Sequence, residues 1–167
     1  MITEWLAAIL ARDLRAMARE VRAYPDDASV WQTLPGVTNS GGTLALHAEG
    51  NIRHFIGSVL GGTGYVRDRD AEFSRRGVPR EELASGLEAA ATEVAQVLPG
   101  VPAARLNEPW PAPVGGVHVT TGDFLTHLAA HLGYHLGQAD YHRRIVTGSS
   151  QTVGTQAMPE LATARKA

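Results

Sequence analysis

The chain of 167 residues contains no cysteine. That excludes disulfides, thiolate zinc sites, iron–sulfur ligation by the chain and a cysteine nucleophile. A surplus of positive charge is also missing: 15 Lys and Arg stand against 17 Asp and Glu, a formal net charge of −2. Non-specific nucleic-acid binders carry a basic excess, whereas the longest basic clusters here are the pairs Arg75-Arg76 and Arg143-Arg144. No apolar run approaches the length of about 20 residues that spans a bilayer. Met1-Ile2-Thr3-Glu4-Trp5 lacks the basic start and apolar stretch of a signal peptide, and Glu4, Asp13 and Glu20 do not suit an organelle transit peptide. These absences lead to the expectation of a cytoplasmic protein with neither nucleic acid nor membrane as partner.

Histidine, by contrast, is plentiful and uneven: of seven, four lie between His127 and His142. The surrounding pattern is helical. Alanine is common, and apolar residues recur at three- and four-residue steps. The first helix runs from about Thr3 to Ala23 and stops before Pro25-Asp26-Asp27. Val30 to Val37 reads as an ordered connection. A second helix opens at Asn39-Ser40-Gly41-Gly42, capped by Ser40 or Thr43, and continues to about Leu60. The charged stretch from Tyr65 to Phe73 alternates in sign and reads as an ordered loop with internal ion pairs, Arg67 and Arg69 holding Asp68, Asp70 and Glu72.

Val78-Pro79 starts a third helix, with Glu81 and Glu82 at the positive end of its dipole and Pro99-Gly100 at its close. Pro102, Pro109, Pro111 and Pro113 mark a long crossover, in which Val117 to Thr120 alternates as a short strand would. Thr121-Gly122-Asp123 then caps a fourth helix, roughly Gly122 to Val146, ended by Thr147-Gly148-Ser149-Ser150. Four such helices without a sheet describe an all-α four-helix bundle over residues 1–150, followed by a tail, 151–167, with a short helix near Pro159 to Arg165. Trp31 and Trp110 are expected to pack at the bundle ends.

The fourth helix carries His127, His131 and His135, with Gln138 one turn on. Side chains four apart share a helix face, drifting by about 40° per step. Two of these imidazoles can hold one metal ion, but three in series drift too far, so the third ligand must come from another helix. The second helix offers His47 and His54, seven apart and two turns apart in height, so only one reaches a given depth. Glu49 and Asn51 lie nearby, as possible partners of the ligands.

Three neutral histidines leave a coordination position open, as catalytic sites do. Zinc or nickel suits such an all-nitrogen set. The ion would activate water or an external thiol. Leu132 follows His131 where a zincin would need Glu, which argues against that type of metalloprotease. Gly61-Gly62-Thr63-Gly64 lacks the Lys-Ser/Thr of a phosphate loop.

Trp5, the run His47-Ala48-Glu49-Gly50-Asn51-Ile52-Arg53-His54, the segment Arg67 to Phe73, and His131-x3-His135-x-Gly137-Gln138 together resemble the DinB/YfiT-like superfamily, closest to its DUF1572-type branch. The resemblance covers roughly residues 1 to 147. It implies an up–down–down–up bundle, a homodimer, and a divalent metal held at positions matching His47, His131 and His135. Characterised members are thiol-dependent S-transferases and isomerases that use low-molecular-weight thiols; others carry only a damage-inducible label. A common family form ends the motif His-Arg-Gly-Gln, where this chain has His135-Leu136-Gly137-Gln138.

The catalytic residues are not identified by this reading; Glu49 and His127 are the candidates for a general base. His127 otherwise packs beside the ligands, His54 lines the pocket, a dimer face or the surface, His142 sits at a helix end where the dipole favours it, and His118 has no assigned role. The leading expectation is a metal-binding S-transferase or hydrolase acting on a small molecule. The competing one is a non-catalytic metal-binding or dimeric interaction protein of a stress response. An enclosed cavity beside His47 would favour the enzyme.

Overall fold

The computed structural model describes residues 2–166. It contains five α-helices: α1 (Ile2–Arg22), α2 (Gly41–Ile52), α3 (Arg69–Ser74), α4 (Arg80–Val97) and α5 (Thr121–Thr147). The first turns are closed by side chains. Ser40 accepts from the Thr43 amide (3.2 Å), Asp68 from Ala71 (2.9 Å), and Thr120 from Asp123 (3.2 Å). The cap of α5 thus falls one residue before the expected Thr121. Gly148, left-handed at φ 65°, ends this helix. Beyond Ile52, α2 continues as a wider π-helical stretch, Arg53–Leu60, closed by the Gly61 amide on the Ile56 carbonyl (3.0 Å).

Side-chain contacts fix the directions. Arg22, at the end of α1, pairs with Glu81 at the start of α4, so these two run antiparallel. Glu49 lies against Gly86, and Arg53 pairs with Glu93 (3.0 Å), so α2 and α4 run parallel. His47 meets His135, and Phe55 meets Phe124, so α2 and α5 run antiparallel. The bundle is therefore up–down–down–up, with a core sealed by residues such as Leu10, Leu14, Met17, Ile52, Ile56, Leu83, Leu87, Leu125 and Leu128. Full burial of each such side chain contributes about 1.5–3 kcal/mol. Leu136 is buried here too, so the position that differs from the common family motif serves packing.

This topology moves the expected crossover. Because α2 and α4 are parallel, residues 61–79 must travel back along the bundle, and they carry α3 on the way; the charged stretch is partly helix, not loop alone. The proline-rich stretch 98–120 instead bridges the bundle end. It forms 3₁₀ turns and isolated bridges, with the Trp110 amide on the Val119 carbonyl (2.9 Å), in place of the expected strand. Trp110 packs against Phe55 and Phe124. Trp31 donates its indole N–H to the Val78 carbonyl (3.0 Å). In the tail, Arg19 bonds the carbonyls of Val153 (2.8 Å) and Gly154 (3.0 Å). Only a 3₁₀ turn, Met158–Glu160, forms near the expected terminal helix. No helix is long and apolar enough to cross a membrane among the described residues.

His142 lies little more than a turn before the end of α5, near a helix end as expected, but it is buried, held between Tyr24 and Gln32. Its Nε2–H donates to the Gln32 carbonyl (2.9 Å), leaving Nδ1 to accept from the Tyr24 hydroxyl (2.7 Å). Beside it, Arg143 and Glu20 form a buried ion pair, and Arg143 also bonds Asp140 (3.2 Å) and the Gln151 carbonyl (2.7 Å). Burial raises the Glu20 carboxyl above its ordinary range despite the Arg143 guanidinium.

Two outcomes are expected. Glu20→Ala leaves Arg143 short of its buried counter-charge and should cost about 3–5 kcal/mol in urea unfolding. Burial holds His142 below its free pKa of 6.5, and the Gln32 bond recovers only part of that shift. Its stabilising contribution is full above that pH and is lost as pH falls through it towards the folded value. His142→Ala should therefore cost about 2–3 kcal/mol at pH 7.5, and the variant's thermal stability should fall less steeply below pH 6.5 than that of the parent.

Candidate metal centre

The antiparallel pairing of α2 and α5 sets His47 opposite His131 and His135. Each offers a ring nitrogen, and these three nitrogens lie within 4.8 Å of one another. The rings stand nearly perpendicular: 81° between His47 and His131, 87° between His47 and His135, and 85° between His131 and His135.

Neighbouring groups fix which nitrogen points inwards. His47 Nδ1 donates to Glu72 Oε2 at 2.9 Å. His135 Nδ1 donates to Gln138 Oε1 at 2.7 Å. Both bonds leave an Nε2 lone pair facing the cluster, which is how a ligating histidine is usually held. His131 Nε2 and His135 Nε2 are 3.0 Å apart. Two such nitrogens must share either a proton or a cation. Ligands bound to one ion at 2.0–2.1 Å lie roughly 3.0–3.4 Å apart, so the spacing fits a metal.

Electrostatics favour lone pairs over protons. Burial, reinforced by His135, His47 and His127, pushes His131 down to about 4. Burial also lowers His135, against the effect of its bond to Gln138. Glu72 is buried, which by itself would raise its carboxyl. Arg67 and His47 outweigh that and hold it below the ordinary range. Arg67 grips Glu72 with two bonds, of 2.6 and 2.8 Å. The carboxylate reaches His47 by passing over Gly50, where an added Cβ would lie 2.2 Å from Glu72 Oε1.

The other expected residues divide. Asn51, one turn beyond His47, is buried, and its Oδ1 has no partner. His127 is exposed and stands outside the three-nitrogen group, but its ring stacks on His131 (5.6 Å, 24°) and on Phe124 (6.1 Å, 15°). His54 is half-buried against Phe55, and burial together with Arg67 lowers its pKa. Glu49 is not brought to the cluster. It points at α4, bonded to Arg53 (3.1 Å) and filling the space at Gly86. His118 is exposed.

Sequence reasoning read Glu72 only as an ion-pair partner of an arginine. Its bond to His47 was missed, although Gly50, three residues after His47, is a trace of that approach. Two open grooves flank the cluster along α5. One, of about 560 Å³, reaches His135 and Gln138; the other, of about 420 Å³, reaches His127.

A family model described as mycothiol S-transferase matches residues 5–148. This match does not support the finer placement in a DUF1572-type branch. No curated protein and no solved structure matches the chain.

Glu72→Gln should weaken metal binding about 10–100-fold in a competition titration with a chromogenic chelator. Gly50→Ala should weaken it in the same direction by displacing the Glu72 carboxylate. Unchanged affinity in both variants would separate Glu72 from the function of His47.

Proposed function

Because the chain belongs to the mycothiol S-transferase family of the DinB/YfiT-like superfamily, we propose that it is a metal-dependent S-transferase joining a low-molecular-weight thiol to a small electrophile. The observation that carries this reading is the convergence of His47, His131 and His135 with their inward nitrogens oriented by Glu72 and Gln138. Zinc or nickel suits an all-nitrogen set. When bound, such an ion lowers the pKa of a coordinated thiol.

The chain's own residues hold the reactants and the charge. Three neutral imidazoles add no negative charge to the centre, so a thiolate meets no competing anion among the ligands. Glu72 sits one bond behind His47, with its charge largely spent on Arg67. In the transfer, a sulfur lone pair forms the new bond to the electrophilic carbon. The leaving group departs with its bonding pair, and the thiol proton passes to solvent. No side chain has to supply the sulfur, which accords with a chain that has no cysteine.

Protein purified without a histidine tag should bind one equivalent of zinc or nickel by elemental analysis after metal exposure. His131→Ala should lose that binding and lower thiol transfer to a chlorinated aromatic electrophile by at least about 100-fold. A wild-type protein that binds no metal, or transfers equally well without His131, would overturn the reading.

A further inference from the structure

The polar side chains of α2 are partnered, with one exception. Thr43 meets Ser40, His47 meets Glu72, and Glu49 meets Arg53. Asn51 forms no side-chain hydrogen bond among the described residues, although it is only 7% exposed and its Oδ1 is sealed from solvent. It stands one turn beyond His47 and one before Phe55, and residues one turn apart share a helix face. Both neighbours face α5: His47 meets His131 (5.4 Å) and His135 (5.0 Å), and Phe55 meets Phe124 (4.8 Å). The Asn51 side chain therefore enters the seam between α2 and α5, between the level of the histidine cluster and that of Phe124. Phe124 also lines the smaller groove with Val117, Val119 and His127, so this largely apolar groove ends beside the same seam.

Such a group is costly to keep. A buried acceptor with nothing to accept from has lost its water without return. Asparagine is also a poorer helix former than leucine or alanine. Leucine, of similar size, would fill the space without either cost. Unmet polarity in a native interior points to a group that arrives later. The seam narrows the choice. His47 and His135 turn nitrogen lone pairs towards the cluster, and Asn51 places an acceptor oxygen one turn away. A carboxamide is shorter than an imidazole, so its oxygen addresses what sits on the open side of the cluster, not the point where the nitrogens converge.

Resting on the S-transferase reading, we propose that Asn51 is the polar contact to the reacting atom of the substrate, its Oδ1 accepting a hydrogen bond from the S–H of the arriving thiol. The bond aims that hydrogen into the seam and leaves the sulfur lone pairs towards the cluster. When the S–H bond breaks, its electron pair stays on sulfur. The proton passes to solvent, since an amide oxygen is too weak a base to keep it. Neither end of the carboxamide is tied to the fold, so a half-turn about its last bond then presents Nδ2–H to the sulfur anion. Acceptor and donor serve the two protonation states in turn.

Two neutral azoles read the acceptor without any thiol. Pyrazole carries its N–H on the atom next to the ligating nitrogen, whereas imidazole carries it across the ring. In cobalt-loaded protein, whose visible spectrum reports an added ligand, Asn51→Leu should weaken pyrazole binding about tenfold and imidazole binding less than about twofold. Asn51→Ala, which opens space instead of filling it, should show the same difference, separating loss of the acceptor from crowding by leucine. In metal-free protein, the melting temperature of Asn51→Leu should equal or exceed that of wild type, by up to about 4 °C. Both variants should lower kcat/KM for thiol transfer at least about tenfold with metal stoichiometry unchanged.

A lower melting temperature for metal-free Asn51→Leu would show that the carboxamide serves the fold and would overturn the assignment. Equal changes for both azoles, or none, would also overturn it and leave the oxygen to an internal water only. Wild type that discriminates the azoles through Asn51 but transfers no thiol would sink the S-transferase reading and keep the contact to a bound ligand. Thiol transfer unaltered in both variants would sink the Asn51 assignment and leave that reading intact.

Discussion

The Glu72 carboxylate ties the candidate centre to the topology. It is buried, gripped by Arg67 from its own segment, and bonded across the helix surface to His47. A buried carboxylate is costly unless its charge is met, and here two donors meet it. The bond fixes the tautomer of His47, and so decides that Nε2 and not Nδ1 faces α5. Glu72 can be there only because α2 and α4 run parallel. A parallel pair needs a return segment along the bundle, and that segment deposits α3 over α2. Gly50 supplies the missing side chain that lets the carboxylate through. A closing turn between antiparallel helices would have brought no such group.

The two helices that bear the histidines have the opposite relationship. Antiparallel pairing lets one residue of α2 face two residues of α5 separated by one turn. His131 and His135 lie one above the other, and His47 completes a triangle of mutually perpendicular rings. His127 sits one turn further along, where helical drift and the change of level at Phe124 carry it out of the cluster. It stacks on His131 and borders the apolar groove. The same helix therefore provides two of the three nitrogens and borders two unlike grooves.

Much of this was legible in the sequence because it depends on local spacing. The helical periodicity, the Ser40 cap and the one-turn step from His131 to His135 need no knowledge of the fold. What was not legible depends on partners far along the chain. Glu72 looked like one member of a charged run, since its bond to His47 spans 25 residues. His142 looked like a residue near a helix end, but Tyr24, 118 residues away, and Gln32 make it part of the core. Glu49, two residues after His47, was close in sequence and yet points towards α4, because two helical steps turn a side chain by about 200°.

The missing cysteine bears on the proposed chemistry. A transferase without a thiol of its own would have to hold a free thiol long enough for an electrophile to arrive. A metal bond alone would accept any small thiol, charged or neutral, because the contact is made at sulfur. Discrimination has to come from atoms remote from that bond, and binding energy spent there positions the reacting atom.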